Sequence, residues 1–249
     1  MRGPMKKRPA LIAVAAAVLG LGVGFYLHGV AASHGFSTRA LIGRMIGFKP
    51  EPVAPPPPPP TCCQWYRLLA PVYAALPRHA TVVMLGDSIT TLTDWNALLP
   101  SFDVANRGIP GDTTEGVLKR IDSIITMHPQ CVALMLGVND LRAGWSVQQI
   151  LENYTAIIDR LSTSGSTVIV QSTLATSNDY ASLNASVVEV NHSLAEMCRQ
   201  SGRCLYVDLN STVASTGAIA DSIDGIHLGP NSYKTWASTL TPFLNPNCR

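Results

Sequence analysis

Residues 82–95 read VVMLGDSITTLTDW. Val82 to Gly86 form a short apolar run with no charged position, the pattern of a strand buried on both faces, and the run ends in a small polar turn at Asp87-Ser88. Ser88 therefore stands where a helix cap stands, and also where a nucleophile would be presented from the end of a strand. What the rest of the chain places beside it decides between the two.

Working outward, short apolar runs alternate with longer segments of helical period. After 65-WYRLLAPVYAAL-76 and the strand at 82, SFDVANRG (101–108), CVALMLG (131–137), STVIVQS (166–172) and CLYVDL (204–209) read as four further strands. Between them lie a helix over 113–127, capped by Thr113 or Thr114 with Val117, Ile121, Ile124 and Ile125 on one face, and a second over Ser146 to Leu161. Leu183, Val187, Val190, Leu194 and Met197 repeat at helical spacing, and a last helix runs around Tyr233 to Leu240. This alternation predicts an α/β fold with a five-stranded parallel sheet covered on both faces and built from right-handed crossovers. Such folds place ligands at the carboxyl ends of their strands.

The 249 residues, 47% of them hydrophobic and 14% charged, suffice for one sizeable core. The formal net charge of +2 conceals an asymmetry: seven basic residues but only Glu51 among the acids precede residue 62. The remainder carries eleven basic and fifteen acidic residues. That balance leaves no basic stripe and excludes a nucleic-acid-tracking surface.

No charged residue lies between Arg8 and Arg39, and the apolar stretch there exceeds the about 20 residues that span a bilayer. With Arg2, Lys6, Lys7 and Arg8 in front of it, residues 1–33 read as a membrane anchor, or as a signal segment cleaved near 30-VAAS-33. Both readings place the domain outside the cytoplasm, periplasmic or extracellular. Residues 34–61, ending in KPEPVAPPPPPPT, read as a proline-rich spacer of polyproline II character, and 62–249 as the globular domain.

Six cysteines suit that compartment. Cys198 and Cys204 are the easiest pair to bridge; Cys62 or Cys63 is expected to reach Cys248, and Cys131 reads as a buried free thiol. The spacings lack a zinc pattern. Nothing in the sequence specifies an oligomeric state.

Four polar clusters fall after strands or before the last helix: GDSIT (86–90), NRGIPGDTT (106–114), GVND (137–140) and DGIH (224–227). Singly each is an ordinary turn. Together they supply what acyl transfer needs: a hydroxyl, a base, a carboxylate to orient the base, and donors for an oxyanion. His227 follows Asp224 by three residues, so the base and its orienter travel together. Gly108 presents a backbone N–H without a side chain in the way, and Asn139 carries an amide N–H₂.

These four clusters, in this order over residues 80 to 240, resemble the signature blocks of the SGNH (GDSL-type) hydrolases. The resemblance implies a flavodoxin-like α/β/α sandwich. It also implies Ser88 as nucleophile and first oxyanion donor, Gly108 and Asn139 as the other donors, and His227 as general base oriented by Asp224. No metal or cofactor is implied. Ile89 stands where many members have Leu. NRGIPGDTT, Trp95 and the SYKTW ending (232–236) are similar to the platelet-activating-factor acetylhydrolase-like and carbohydrate acetylesterase subgroup, which implies a short acyl group, most simply acetyl, on a small-molecule or glycan alcohol. The absence of GxSxG argues against the α/β-hydrolase elbow.

Around these residues Asp87 reads as support for the Ser88 turn. Trp95 reads as a pocket wall or a core ring. Arg107 and Arg142 read as ligands for an acidic or sugar substrate, or as structurally paired or solvated cations. Asn153, Asn184, Asn191 and Asn210 head N-x-S/T sequons. An acyltransferase, or a lysophospholipase or thioesterase, would use the same site residues. A catalytically silent glycan-binding module would be expected to have lost part of the triad.

Overall fold

The structure, a computed structural model, describes residues 63–248. The anchor and spacer readings at 1–33 and 34–61, and Cys62, lie outside the described residues. Among the described residues no helix is long and apolar enough to cross a membrane.

Five parallel strands form one sheet: β1 (Val82–Gly86), β2 (Val104–Gly108), β3 (Cys131–Met135), β4 (Thr167–Gln171) and β5 (Cys204–Val207). Their spatial order is β2-β1-β3-β4-β5, the doubly wound order in which β1 and β3 flank the topological switch point. Every residue of β1 and β3 is buried, as their uninterrupted apolar runs require of strands covered on both faces. In the register, Gly86 lies opposite Gly108 on one side and Met135 on the other. Three of the polar clusters therefore leave the sheet at one edge.

Nine helices are described: α1 (Cys63–Ala75), α2 (Ser88–Thr91), α3 (Trp95–Leu98), α4 (Thr114–Ile125), α5 (Val138–Arg142), α6 (Val147–Thr163), α7 (Asn184–Ser201), α8 (Asn210–Val213) and α9 (Pro230–Leu244). A 3₁₀ turn spans Asn178–Leu183. Alternation along the strands divides the core in two. Val82 and Met84 join Cys131, Ala133, Trp95, Trp236, Leu240 and Leu244 on the α3 and α9 side. Val83 and Leu85 join Val132, Leu134, Val117, Ile121, Ile157 and Leu194 on the side of α4, α6 and α7. Of the two candidate caps for α4, Thr113 takes the position, its hydroxyl accepting from Gly116 N at 3.2 Å. Ser146 and Gln149 close a capping box on α6.

Cys198 pairs with Cys204 as expected, joining α7 to β5 with Cα atoms 4.9 Å apart. Cys248 pairs with Cys131, at a Cα separation of 5.6 Å, and not with Cys62 or Cys63; Cys131 is no free thiol. The reason is packing: Cys131 faces the layer that α9 covers, and α9 carries the following residues back onto the first position of β3. The first bond closes a loop of six residues and the second one of 117. On chain entropy the Cys131–Cys248 bond contributes about 5 kcal/mol and the other about 2 kcal/mol. Denaturant unfolding should show Cys131→Ser with Cys248→Ser losing the larger amount and Cys198→Ser with Cys204→Ser the smaller; the reverse order would exclude loop length as the governing factor.

The four sequon asparagines are engaged internally. Asn153 Nδ2 donates to Thr114 Oγ1 (2.9 Å) and Asn184 Nδ2 to Thr176 O (2.9 Å). Asn191 Nδ2 donates to Thr173 O (2.8 Å), and Asn210 Oδ1 accepts from Ala175 N (2.8 Å). Their amides stitch loops together, which leaves them unsuited to carrying a glycan in the folded state.

Candidate active site

Ser88 is the first residue of α2, and the cap is Asp87. The Asp87 carboxylate accepts from Ile89 N at 2.9 Å. The Ser88 hydroxyl is thereby spared that duty, and its backbone N–H has no acceptor inside the helix. So short a helix holds its shape because side chains serve its carbonyls. Tyr233 Oη donates to Ile89 O (2.7 Å), Trp95 Nε1 to Thr90 O (2.8 Å), and Asn106 Nδ2 to Thr90 O (3.1 Å) and Thr91 O (3.2 Å).

His227 arrives from the loop before α9. Its Nε2 lies 2.8 Å from Ser88 Oγ, and its Nδ1 lies 2.7 Å from Asp224 Oδ2. The other Asp224 oxygen accepts from His227 N (2.8 Å) and Ile226 N (3.0 Å), so one carboxylate fixes both the ring and the backbone of His227. Burial raises the Asp224 pKa. The bonds from His227 N–H, its ring and Ile226 N–H outweigh that and bring it down to about 2. Asp224 is ionised throughout the neutral range, and the 51% exposure of its side chain favours the charged form as well. Gly225 makes the turn possible: its φ is +91° and an added Cβ would lie 2.6 Å from Ser177 O. The same contact ties the loop to the 3₁₀ turn, with Ser177 N donating to Gly225 O at 2.8 Å.

Gly108 and Asn139 meet at Asp87. A Cβ on Gly108 would lie 2.6 Å from Thr91 N and 2.7 Å from Asp87 O, so only glycine lets β2 approach the Ser88 turn this closely. Gly108 N–H donates to Asn106 Oδ1 (3.0 Å). Asn139 Nδ2 donates to Asp112 O (3.1 Å) and Asp87 Oδ2 (3.3 Å). Beneath them Asp112 pairs with Arg120 at 2.8 Å, both side chains almost fully buried, and Arg120 Nη2 donates to Arg107 O (2.9 Å). Asp140 accepts from Thr114 N (3.0 Å) and Oγ1 (2.6 Å), locking α5 to the start of α4. Burial pushes the Asp87 carboxyl up to about 7; the Ile89 N–H opposes this, and the Asp112 and Asp140 charges add to it. Burial likewise carries Asp140 to about 6 against its Thr114 bonds.

The three residues considered for substrate contact separate. Trp95 is 1% exposed and packs edge-on against Trp236 (4.8 Å between ring centres) and Tyr233 (6.2 Å), so it is a core ring that supports α2 and no pocket wall. Arg107 is 8% exposed, with its guanidinium 4.7 Å over Tyr73 and Nη1 on Asn106 O (3.1 Å), a structural pairing. Arg142 alone stays exposed beside the site. Its Nη1 donates to Asn139 Oδ1 at 3.3 Å and its guanidinium lies 5.0 Å over Tyr180. Sequence reading missed Tyr180 and the brace made by Asn106, because neither has a spacing signature.

The sequence profile of the GDSL-like lipase/acylhydrolase family matches residues 84–235, more than half of the chain. The chain belongs to this family. Among curated relatives, this GDSL-like chain is 27% identical over 152 residues to an N-acylneuraminate cytidylyltransferase of Streptococcus agalactiae, covering 60% of this chain and 35% of that protein. It is 30% identical over 112 residues to an arylesterase of Vibrio mimicus, covering 39% of this chain and 56% of that protein. The chain thus spans about a third and a little over half of these relatives' lengths. Among solved structures, one from Streptococcus pneumoniae described as a platelet activating factor matches with a TM-score of 0.66 at 20% identity, covering 74% of this chain and 94% of that one. The acetylxylan esterase Axe2 of Geobacillus stearothermophilus matches with a TM-score of 0.56 at 15% identity, covering 68% and 94%. At such identities these two likenesses speak for the GDSL-like fold.

Proposed function

We propose that this protein is a serine esterase that removes a short acyl group, most simply acetyl, from a small-molecule or glycan alcohol, acting outside the cytoplasm. The observation that carries this reading is the hydrogen-bonded series Ser88 Oγ, His227 Nε2, His227 Nδ1, Asp224 Oδ2, at 2.8 and 2.7 Å. As Ser88 Oγ attacks the ester carbonyl, its proton passes to His227 Nε2, and Asp224 stabilises the imidazolium. The developing oxyanion is received by Ser88 N–H, Gly108 N–H and Asn139 Nδ2. The present acceptors of the last two, at 3.0 to 3.3 Å, give way to a stronger bond with a charged oxygen. Collapse breaks the bond to the alcohol oxygen, which leaves with the proton from His227. Water, deprotonated by His227, then attacks the acyl-enzyme carbonyl and frees the carboxylic acid and Ser88.

A short acyl group is supported by the likeness of NRGIPGDTT, Trp95 and SYKTW to the acetylesterase subgroup. An acetylxylan esterase among the structural neighbours agrees with this. The extracytoplasmic setting is supported by the disulfides and by the apolar stretch ahead of residue 34.

The test is a rate profile across acetyl, butyryl and octanoyl p-nitrophenyl esters and acetylated sugars, with fluorophosphonate labelling read by mass spectrometry. The expected result is an adduct on Ser88 and kcat/KM falling at least about tenfold from acetyl to octanoyl, the scale on which pockets discriminate methylenes. An octanoyl preference would overturn the short-acyl reading; an unlabelled Ser88 in active protein would overturn the nucleophile.

A further inference from the structure

Asn139 is held at both ends of its amide. Nδ2 faces Asp112 O and Asp87 Oδ2, and Oδ1 accepts from Arg142 Nη1 at 3.3 Å. Both residues sit on the five-residue helix α5, three positions apart and so on one face. Between them Asp140 is buried and bonded to Thr114, so the helix is fixed while the Arg142 side chain reaches outward. That long side chain is given a definite place by the Tyr180 ring 5.0 Å from its guanidinium carbon. Tyr180 is half-buried in the 3₁₀ turn, its carbonyl accepting from Thr176 Oγ1 at 2.7 Å. The turn is fastened in its own right to the loop of the base through Ser177 N and Gly225 O (2.8 Å). A continuous strap thus runs from the Asn139 amide through Arg142 and Tyr180 to the His227 loop.

We propose that Arg142 is a positioning residue for the esterase reaction. By donating to Asn139 Oδ1 from its seat on Tyr180, it orients and polarises the amide whose N–H₂ receives the oxyanion. The proposal rests on the esterase reading above. An amide whose oxygen accepts from a cation is a stronger donor at its nitrogen, because hydrogen bonds in series polarise one another. The gain falls in the transition state, where the oxyanion exists, so kcat changes and KM does not. The same guanidinium would bind an anionic substrate directly if it swung away from Asn139, and this alternative predicts the opposite pattern.

The experiment is a double-mutant cycle on the full chain with p-nitrophenyl acetate, a neutral ester, and its succinyl monoester analogue, an anionic one. Arg142→Ala is expected to lower kcat on the neutral ester by about five- to twentyfold, below the 10² to 10³ for losing an oxyanion donor outright, with KM unchanged. Arg142→Lys should recover part of the loss, Tyr180→Phe should keep wild-type kcat because the ring remains, and Tyr180→Ala should resemble Arg142→Ala. In an Asn139→Ala background, Arg142→Ala should have no further effect, since its target is gone. Losses that multiply in that background, or an effect confined to KM for the anionic ester, would overturn the proposal and assign Arg142 to substrate binding. Full kcat in Arg142→Ala, with Ser88→Ala inactive and Asn139→Ala impaired, would sink this inference alone. Activity surviving in Ser88→Ala would sink the esterase mechanism beneath it.

Discussion

Ser88→Ala is expected to lose about 10⁴-fold or more in kcat on p-nitrophenyl acetate, with a melting temperature close to that of the parent protein. The two halves of this expectation have separate origins. Activity falls because the Ser88 hydroxyl carries the proton that His227 Nε2 is placed 2.8 Å away to receive. Stability is spared because Asp87, and not Ser88, caps α2, and because the α2 carbonyls are served by Tyr233, Trp95 and Asn106. Asp224→Asn should fall by a comparable factor, since an amide in place of the carboxylate no longer stabilises the imidazolium and disturbs its tautomer. Steady-state kinetics with thermal unfolding of each variant is the measurement. A Ser88→Ala protein that is inactive only because it is unfolded would leave the hydroxyl's role unsupported.

Asp87→Asn carries the second large effect, and it separates into two readouts. An asparagine at 87 still accepts from Ile89 N with its oxygen, so the α2 cap survives. Its amide nitrogen, however, takes the place of the oxygen that faces Asn139 Nδ2 at 3.3 Å, setting one donor against another. Asn139 then turns away, and kcat is expected to fall about 10² to 10³-fold, the amount seen when an oxyanion donor is lost. The second readout is stability against pH. The Asp87 carboxyl is held at about 7 in the folded protein, against an ordinary value of 3.8. Between about 4 and about 7 the folded protein therefore keeps a proton that the unfolded chain has released. Stability must fall as pH rises through that window, by at most about 1.4 kcal/mol per unit, and level off above it. Asn does not titrate, so urea unfolding of Asp87→Asn from pH 4 to 8 should give a shallower decline, with what remains owed to Asp140 and Asp112. An unchanged slope would place the proton elsewhere.

The doubly wound architecture was legible because β1 and β3 are apolar at every position and the helices between strands are amphipathic; burial on both faces leaves no other reading for Val82–Gly86. Ser88, Asp224 and His227 were legible as residue types within short clusters, and their expected roles came from the family resemblance; the 2.7 Å contact of Asp224 with His227 is what the three-residue spacing allowed. What escaped depends on contacts between distant segments. Trp95, read as either pocket or core, is decided by Trp236 and Tyr233, which lie on α9. Arg107 lies within one site cluster and Arg142 closely follows another, yet the first is buried against Tyr73 while the second stays exposed on Tyr180, because α1 and the 3₁₀ turn cover different edges. The Cys131–Cys248 pairing was misread for the same reason, being set by how α9 crosses one sheet face.

That pairing also imposes an order of events on the molecule's making. Cys131 opens the strand at the switch point, and its partner follows the last helix, so the bond cannot close until all five strands and α9 have been synthesised. A nascent chain arrested between residues 131 and 248 has Cys131 but lacks the partner with which it forms this bond. Synthesis through residue 248 is thereby recorded in a single bond on the central strand of the sheet.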